Sequence, residues 1–176
     1  FDNKLFQKIL KIIVDKNESE KIQLKVRQDL FTMHFDNLGD DIKLIKKAYI
    51  QQAIIYEYFD HEGEGFLKIL ETDQGFLKEY INALYSHFPQ GLSGSHQNLG
   101  FVWEVENIET ILENVFDFVI EKETPLGISP HFGNVFFRNI NKKHKERAKK
   151  FLFDYTKNNY SNPDKMNVVV DIVRNS

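Results

Sequence analysis

The chain contains no cysteine, which removes disulfides, thiolate nucleophiles and sulfur-ligated zinc from the outset. It has no long apolar run either: Lys, Glu, Asp or Gln interrupts every hydrophobic stretch well before the roughly 18 residues that a membrane-spanning helix needs. No phosphate loop, zinc-ligand spacing or nucleophile elbow is present, so no motif fixes a reaction and no cofactor is expected. A strong excess of one charge is also missing. The formal net charge of −3 gives no global attraction to nucleic acid or anionic lipid, and any such binding must come from a local patch. The start, Phe1-Asp2-Asn3-Lys4-Leu5, lacks the charged and apolar regions of a signal peptide. The expectation is a fragment of a larger protein, cytoplasmic and not attached to a membrane.

What is present is aromatic and amphipathic. Of 176 residues, 41% are hydrophobic, 28% are charged and 16 are Phe, a composition that argues for a packed core and against disorder. Apolar residues return every three or four positions, and capping residues stand at the breaks, which predicts helices throughout. Leu5, Phe6, Ile9, Leu10 and Ile13 form a first stripe. Asn17 and Glu20 have capping-box spacing before Ile22, Val26, Leu30 and Met33. Ile42, Ile45, Tyr49, Ala53 and Tyr56 mark a third helix. A short piece over 66–71 precedes a longer one carrying Leu77, Ile81, Leu84 and Phe88, which Pro89 stops.

The stretch 89–100 is rich in Gly and Ser and is the expected point of subdivision, as a hinge or exposed loop. Residues 99–103 read equally as a buried connector or an extended segment. Ile108, Leu112, Val115 and Val119 mark the next helix. Ser129-Pro130 and Asn162-Pro163 each place a capping side chain before a first-turn proline, opening helices that carry Phe132, Val135, Phe136 and Ile140, and then Met166, Val169, Val170 and Val173. Between them Ala148, Phe151, Leu152 and Tyr155 face inward. The fold class is therefore all-α: a single helical domain over 1–176, with antiparallel hairpins stacked as an irregular α-solenoid or helical repeat. Gly65-Phe66-Leu67-Lys68 recurs as Gly75-Phe76-Leu77-Lys78, and Asn114-Val115-Phe116 as Asn134-Val135-Phe136. Successive helix starts explain such echoes as well as duplication does.

The cadence of Gly75-Phe76-Leu77-Lys78-Glu79-Tyr80-Ile81, with Phe136-Phe137-Arg138-Asn139-Ile140 and Phe151-Leu152-Phe153, resembles the degenerate HEAT-like helical-repeat regions of large bacterial signal-transducing P-loop NTPases. The resemblance implies a sensing or scaffolding arm whose enzymatic parts lie elsewhere. It implies no catalytic residue here, because the nucleotide-binding glycines and lysine of that family are absent.

Three local patterns carry other chemistry. Asp60, Glu62, Glu64, Gly65, Leu67 and Glu71 occupy the first, third, fifth, sixth, eighth and twelfth places of a calcium-binding EF-hand loop. Glu at the third and fifth places is longer than the Asp or Asn that fit there, so an acidic, Gly-hinged helix connection is the competing reading. Arg27 with His34, and Arg138 with His144, have the spacing of the Arg/His pair in helical HEPN-type ribonucleases, and Asn139 supplies the polar residue after Arg. In such a site guanidinium stabilises phosphate charge while imidazole moves the proton. Lys142, Lys143, Lys145 and Arg147 lie in the densest basic run, a candidate nucleic-acid contact with Tyr155 and Tyr160 as stacking rings, set against a plain solvated helix face. The reading that accommodates most of the chain is a non-catalytic protein-interaction or scaffolding domain, whose partner is another protein or another domain of the same chain. A ribonuclease or a nucleic-acid-binding module is the rival.

Overall fold

A computed structural model describes residues 3–14, 42–56, 64–87, 99–124 and 132–175. All regular elements among them are helical, and no strand occurs there. The helices are α1 (Asn3–Val14), α2 (Ile42–Tyr56), α3 (Glu64–Thr72), α4 (Phe76–His87), α5 (Ile108–Glu123), α6 (Lys145–Asn159) and α7 (Pro163–Asn175). Short 3-10 turns occupy Gly100–Glu104, Phe132–Phe136 and Lys142–His144. No described helix is long and apolar enough to cross a membrane. The helix expected around Val26 and Leu30, the Gly/Ser-rich residues 89–98 and the start signal at Ser129-Pro130 lie outside the described residues.

The elements follow local signals. α3 and α4 form a hairpin because Asp73 turns the chain: its Oδ1 accepts from the Gly75 amide at 3.1 Å, a side-chain mimic of a backbone turn. The repeated Gly-Phe-Leu-Lys heads these two consecutive helices, with Gly65 inside the first turn of α3 and Gly75 just before α4. Lys46 of α2 fastens that hairpin, reaching Asp73 at 2.8 Å and Glu79 at 2.6 Å. At the other end, Asn162 Oδ1 accepts from the amides of Asp164 and Lys165 at 3.0 and 3.1 Å. With Pro163 at the first position, α7 starts where its sequence directs.

Two aromatic clusters make the core. Phe66 lies 5.7 Å from Tyr49, 5.0 Å from Phe76, 5.2 Å from Tyr80 and 5.6 Å from Phe101, ring centre to ring centre. Phe116 lies 6.2 Å from Phe136, 5.9 Å from Phe151 and 5.5 Å from Tyr155. The segment 99–105 runs between them. It is a buried connector: Leu99, Val102 and Trp103 are fully enclosed, and the Gly100–Glu104 turn packs on α3, α5 and the Phe132–Phe136 turn.

The structure corrects two expectations. The predicted helix through Phe132, Val135, Phe136 and Ile140 is instead a 3-10 turn over Phe132–Phe136 followed by a further turn to Asn139, whose φ of 51° is left-handed. The carbonyls explain why. Val135 O accepts from the Leu99 amide at 3.0 Å and Phe136 O from the Trp103 indole at 2.8 Å, which turns both carbonyls to the connector, and the left-handed Asn139 stops any continuation into a helix. Gly133, a poor helix former, lets α7 approach: a Cβ there would come within 2.8 Å of Val168 Cγ1. The repeated Asn-Val-Phe therefore sits in an α-helix at 114–116 and in a 3-10 turn at 134–136, in unlike surroundings.

The second correction is the phase of α7. Val168 and Ile172 are buried, whereas Val170 is 45% and Val173 66% exposed. Apolar residues lie on most sides of this helix, so periodicity alone leaves its rotation open. The seat at Gly133 and the bond from Asn134 Nδ2 to Asp171 Oδ2, 3.0 Å long and buried, decide it.

Gly100 gives a direct check on the connector. A Cβ at that position would lie 1.8 Å from Arg138 O, a backbone atom that cannot swing aside, so Gly100→Ala is expected to destabilise the chain by about 3 kcal/mol, at the upper end of overpacking effects. Urea denaturation measures this; a loss below about 0.5 kcal/mol would show that the connector does not dock as described.

Candidate functional site

Three of the polar groups suggested by the sequence, Lys143, His144 and Arg147, lie where α6 meets the connector. Arg147, on the first turns of α6, reaches across to Glu109 at the start of α5. Its Nε and Nη2 donate to the two carboxylate oxygens at 2.5 and 2.6 Å, the forked geometry in which guanidinium binds carboxylate best. The remaining nitrogen, Nη1, donates to the carbonyls of Trp103 and Val105 at 3.2 Å each. Its guanidinium carbon stands 6.0 Å from the centre of the Trp103 ring. The hydrogen bond from Arg147 holds the Glu109 carboxyl below its ordinary range, against the opposing effect of burial.

Next to this clamp, Glu104 gathers the Lys142–His144 turn. Lys143 Nζ lies 2.6 Å and His144 Nε2 3.0 Å from Glu104 Oε2, and Asn141 Nδ2 donates to Oε1 at 3.3 Å. Partial burial pushes the Glu104 carboxyl up, but the contacts with Lys143 and His144 outweigh it and leave the group below its ordinary value. Glu104 is thus a fixed negative counter-ion, unsuited to donating a proton near neutrality.

These contacts reassign the sequence candidates. Of the basic run, Arg147 is taken up by Glu109 and Lys143 by Glu104, while Lys142 and Lys145 remain exposed. Tyr155 is buried in the Phe116 cluster and is no stacking platform; Tyr160 is 77% exposed. His144 faces Glu104, and Arg138 contributes the carbonyl on which Gly100 packs. Asn139 has a structural use, the left-handed residue that ends its turn, and Asn141 Oδ1 accepts from the Lys143 amide at 3.3 Å to start the next one. Arg27 and His34 lie outside the described residues.

Asp60 and Glu62 of the calcium pattern lie outside the described residues as well. Glu64 opens α3, and Glu71 is exposed near its end. The fifth to twelfth places of the pattern are therefore continuous helix, whereas an EF-hand loop turns sharply around its sixth-place glycine. Among the described residues no group of three His, Asp or Glu is arranged to hold a metal ion.

Two exposed features escaped the sequence reading. One is the outward apolar edge of α7 at Val170 and Val173. The other is Phe153 on α6, 69% exposed. Phe153 is out of phase with the inward stripe of Ala148, Phe151 and Tyr155, so the helical period did contain a signal for it. No protein-family model, curated protein or solved structure matches the chain.

The depressed Glu109 carboxyl makes the clamp sensitive to acid. A folded-state pKa below the unfolded value stabilises the fold above the ordinary Glu pKa of about 4.3, and that contribution is lost as pH falls through the folded value. Arg147→Met is expected to lower stability by about 2 kcal/mol at neutral pH, since it leaves a carboxylate and two carbonyls without their donor. Glu109→Gln should be less stable than the parent by about 1 kcal/mol at pH 7, with the gap closing in acid. Urea midpoints at pH 7 and at about pH 3 read both effects, and a pH-independent gap for Glu109→Gln would contradict the assignment.

Proposed function

We propose that this chain is a non-catalytic recognition or scaffolding domain of a larger protein, and that the outward edge of α7 is where its partner docks. The observation that carries this reading is the two-sided character of α7. Val168 and Ile172 already satisfy the core, yet Val170 and Val173 present a second apolar line to solvent, one helical turn apart on a shared face. Lone exposed hydrophobes need no explanation, but an aligned set on a helix whose inward face is complete fits an amphipathic partner surface. The partner is another protein or another domain of the same chain.

The arrangement of neighbours supports a scaffold. α1 packs on α2, α2 on α4, α4 on α5, α5 on α7 and α7 on α6, and α6 also meets α5 where Phe116 packs on Phe151 and Tyr155, so the contacts run mainly between helices near one another in the chain. Packing between chain neighbours is in keeping with an irregular α-solenoid, whose outer faces stay available. The ribonuclease alternative gains nothing from His144, whose imidazole is turned to Glu104.

A photo-cross-linking residue at position 173 tests the docking edge. It should join the chain to one defined protein or domain in cells, and Val170→Glu should abolish that product while leaving thermal stability within about 0.5 kcal/mol, as expected for a surface change. Equal cross-linking from position 173 and from the exposed Glu121 site on α5 would defeat the proposal.

A further inference from the structure

We infer that the outward face of α6 is a binding site for single-stranded nucleic acid, with Phe153 and Tyr160 as stacking platforms and Lys149, Lys150 and Lys157 as phosphate contacts. The inference uses a different helix from the α7 docking edge and does not depend on it. Phe153 is 69% and Tyr160 77% exposed, which is far more ring surface than an ordinary helix leaves in water. Tyr160 still has helical backbone angles, φ −56° and ψ −25°. Two residues seven positions apart on such a helix lie on nearly one line, about 10 Å from each other.

The cations are interleaved with the rings. Lys149 and Lys157 stand one turn before and one turn after Phe153, with Lys150 beside Lys149, and all three are exposed. Lys149 pairs with Glu146 at 2.6 Å, an exposed contact within one helix; pairs of this kind contribute little and yield to a phosphate. Glu146 and Asp154 are the acids on the exposed side of α6. A lysine-rich face on a chain whose net charge is −3 is complementary to a polyanion, and rings set among the ammonium groups narrow the choice. A membrane surface calls for a continuous apolar stripe, which the lysines interrupt. A duplex keeps its bases stacked inside. An unpaired strand offers both free base faces and phosphates.

This patch differs from the one expected from the basic run alone. Arg147 leaves it, because Glu109 and two carbonyls hold its guanidinium, and Lys143 belongs to the turn that precedes α6 and faces Glu104. Tyr155 leaves it because it is buried. Lys149 and Lys150, at the end of that run, stay, and Phe153 and Lys157 enter.

Fluorescence anisotropy with labelled 12-nucleotide oligo(U) and oligo(dT) at about 50 mM salt tests the site. Saturable binding is expected, with log affinity falling against log salt at a slope of about −2, near −0.7 for each of three phosphates. Lys157→Gln should make the slope shallower by about 0.7. Phe153→Ala and Tyr160→Ala should each weaken binding about fivefold or more at unchanged slope, and circular-dichroism melting should show both variants as stable as the parent. Four outcomes overturn the inference: no binding of either strand, affinity indifferent to both ring substitutions, equal affinity for a duplex of the same length, or binding to phosphatidylserine vesicles without binding to the oligonucleotides.

Discussion

Arg147 holds together parts of the chain that would otherwise meet without a fixed register. One guanidinium joins α6 to the first turn of α5 through Glu109 and stops the carbonyls of Trp103 and Val105 at the end of the connector. Carbonyls at the end of a short 3-10 turn have no partners of their own, and burying them bare costs about 1 to 3 kcal/mol each. A basic residue aimed inward from a solvated helix supplies the donors. The connector can then run through the middle of the protein, where Trp103 fills the space between Phe137 and Phe151 at 5.5 and 5.7 Å.

Much else follows from that placement. Because 99–105 passes through the core, the carbonyls of Val135 and Phe136 turn to accept from Leu99 and Trp103. The turn so formed places Gly133 and Asn134 against α7, and their contacts with Val168 and Asp171 set that helix's rotation. Val170 and Val173 face outward as a consequence. α6 is oriented by the same clamp, with Phe151 and Tyr155 inward and Phe153 outward. Both proposed surfaces are thus the remote product of polar contacts around one buried connector.

The sequence disclosed these features unequally. Helix positions were legible where period and cap agreed: α5 buries Ile108, Leu112, Val115 and Val119 as their spacing predicts, and Asn162-Pro163 starts α7. Rotation was not legible where a helix is apolar on most sides, since nothing local distinguishes Val168 and Ile172 from Val170 and Val173. The 3-10 turn at 132–136 was hidden for a related reason. Two of its carbonyls accept from residues more than thirty positions away, and no short-range pattern reports them. The candidate site was only partly legible for the same reason: a dense basic run shows how much charge is present, but not that Glu104 and Glu109 pair with two of its members from distant turns.

If Arg147 locks the core as its contacts indicate, the connector 99–105, the turn 132–136, α5 and α6 open as one cooperative unit. Native-state hydrogen exchange followed residue by residue measures this directly. The amides of Val102 and Val105 and the Trp103 indole are expected to exchange through the same opening as the cores of α5 and α6, with equal free energies and equal dependence on denaturant. Exchange of the connector through a separate, lower-energy opening that leaves α5 and α6 protected would contradict it.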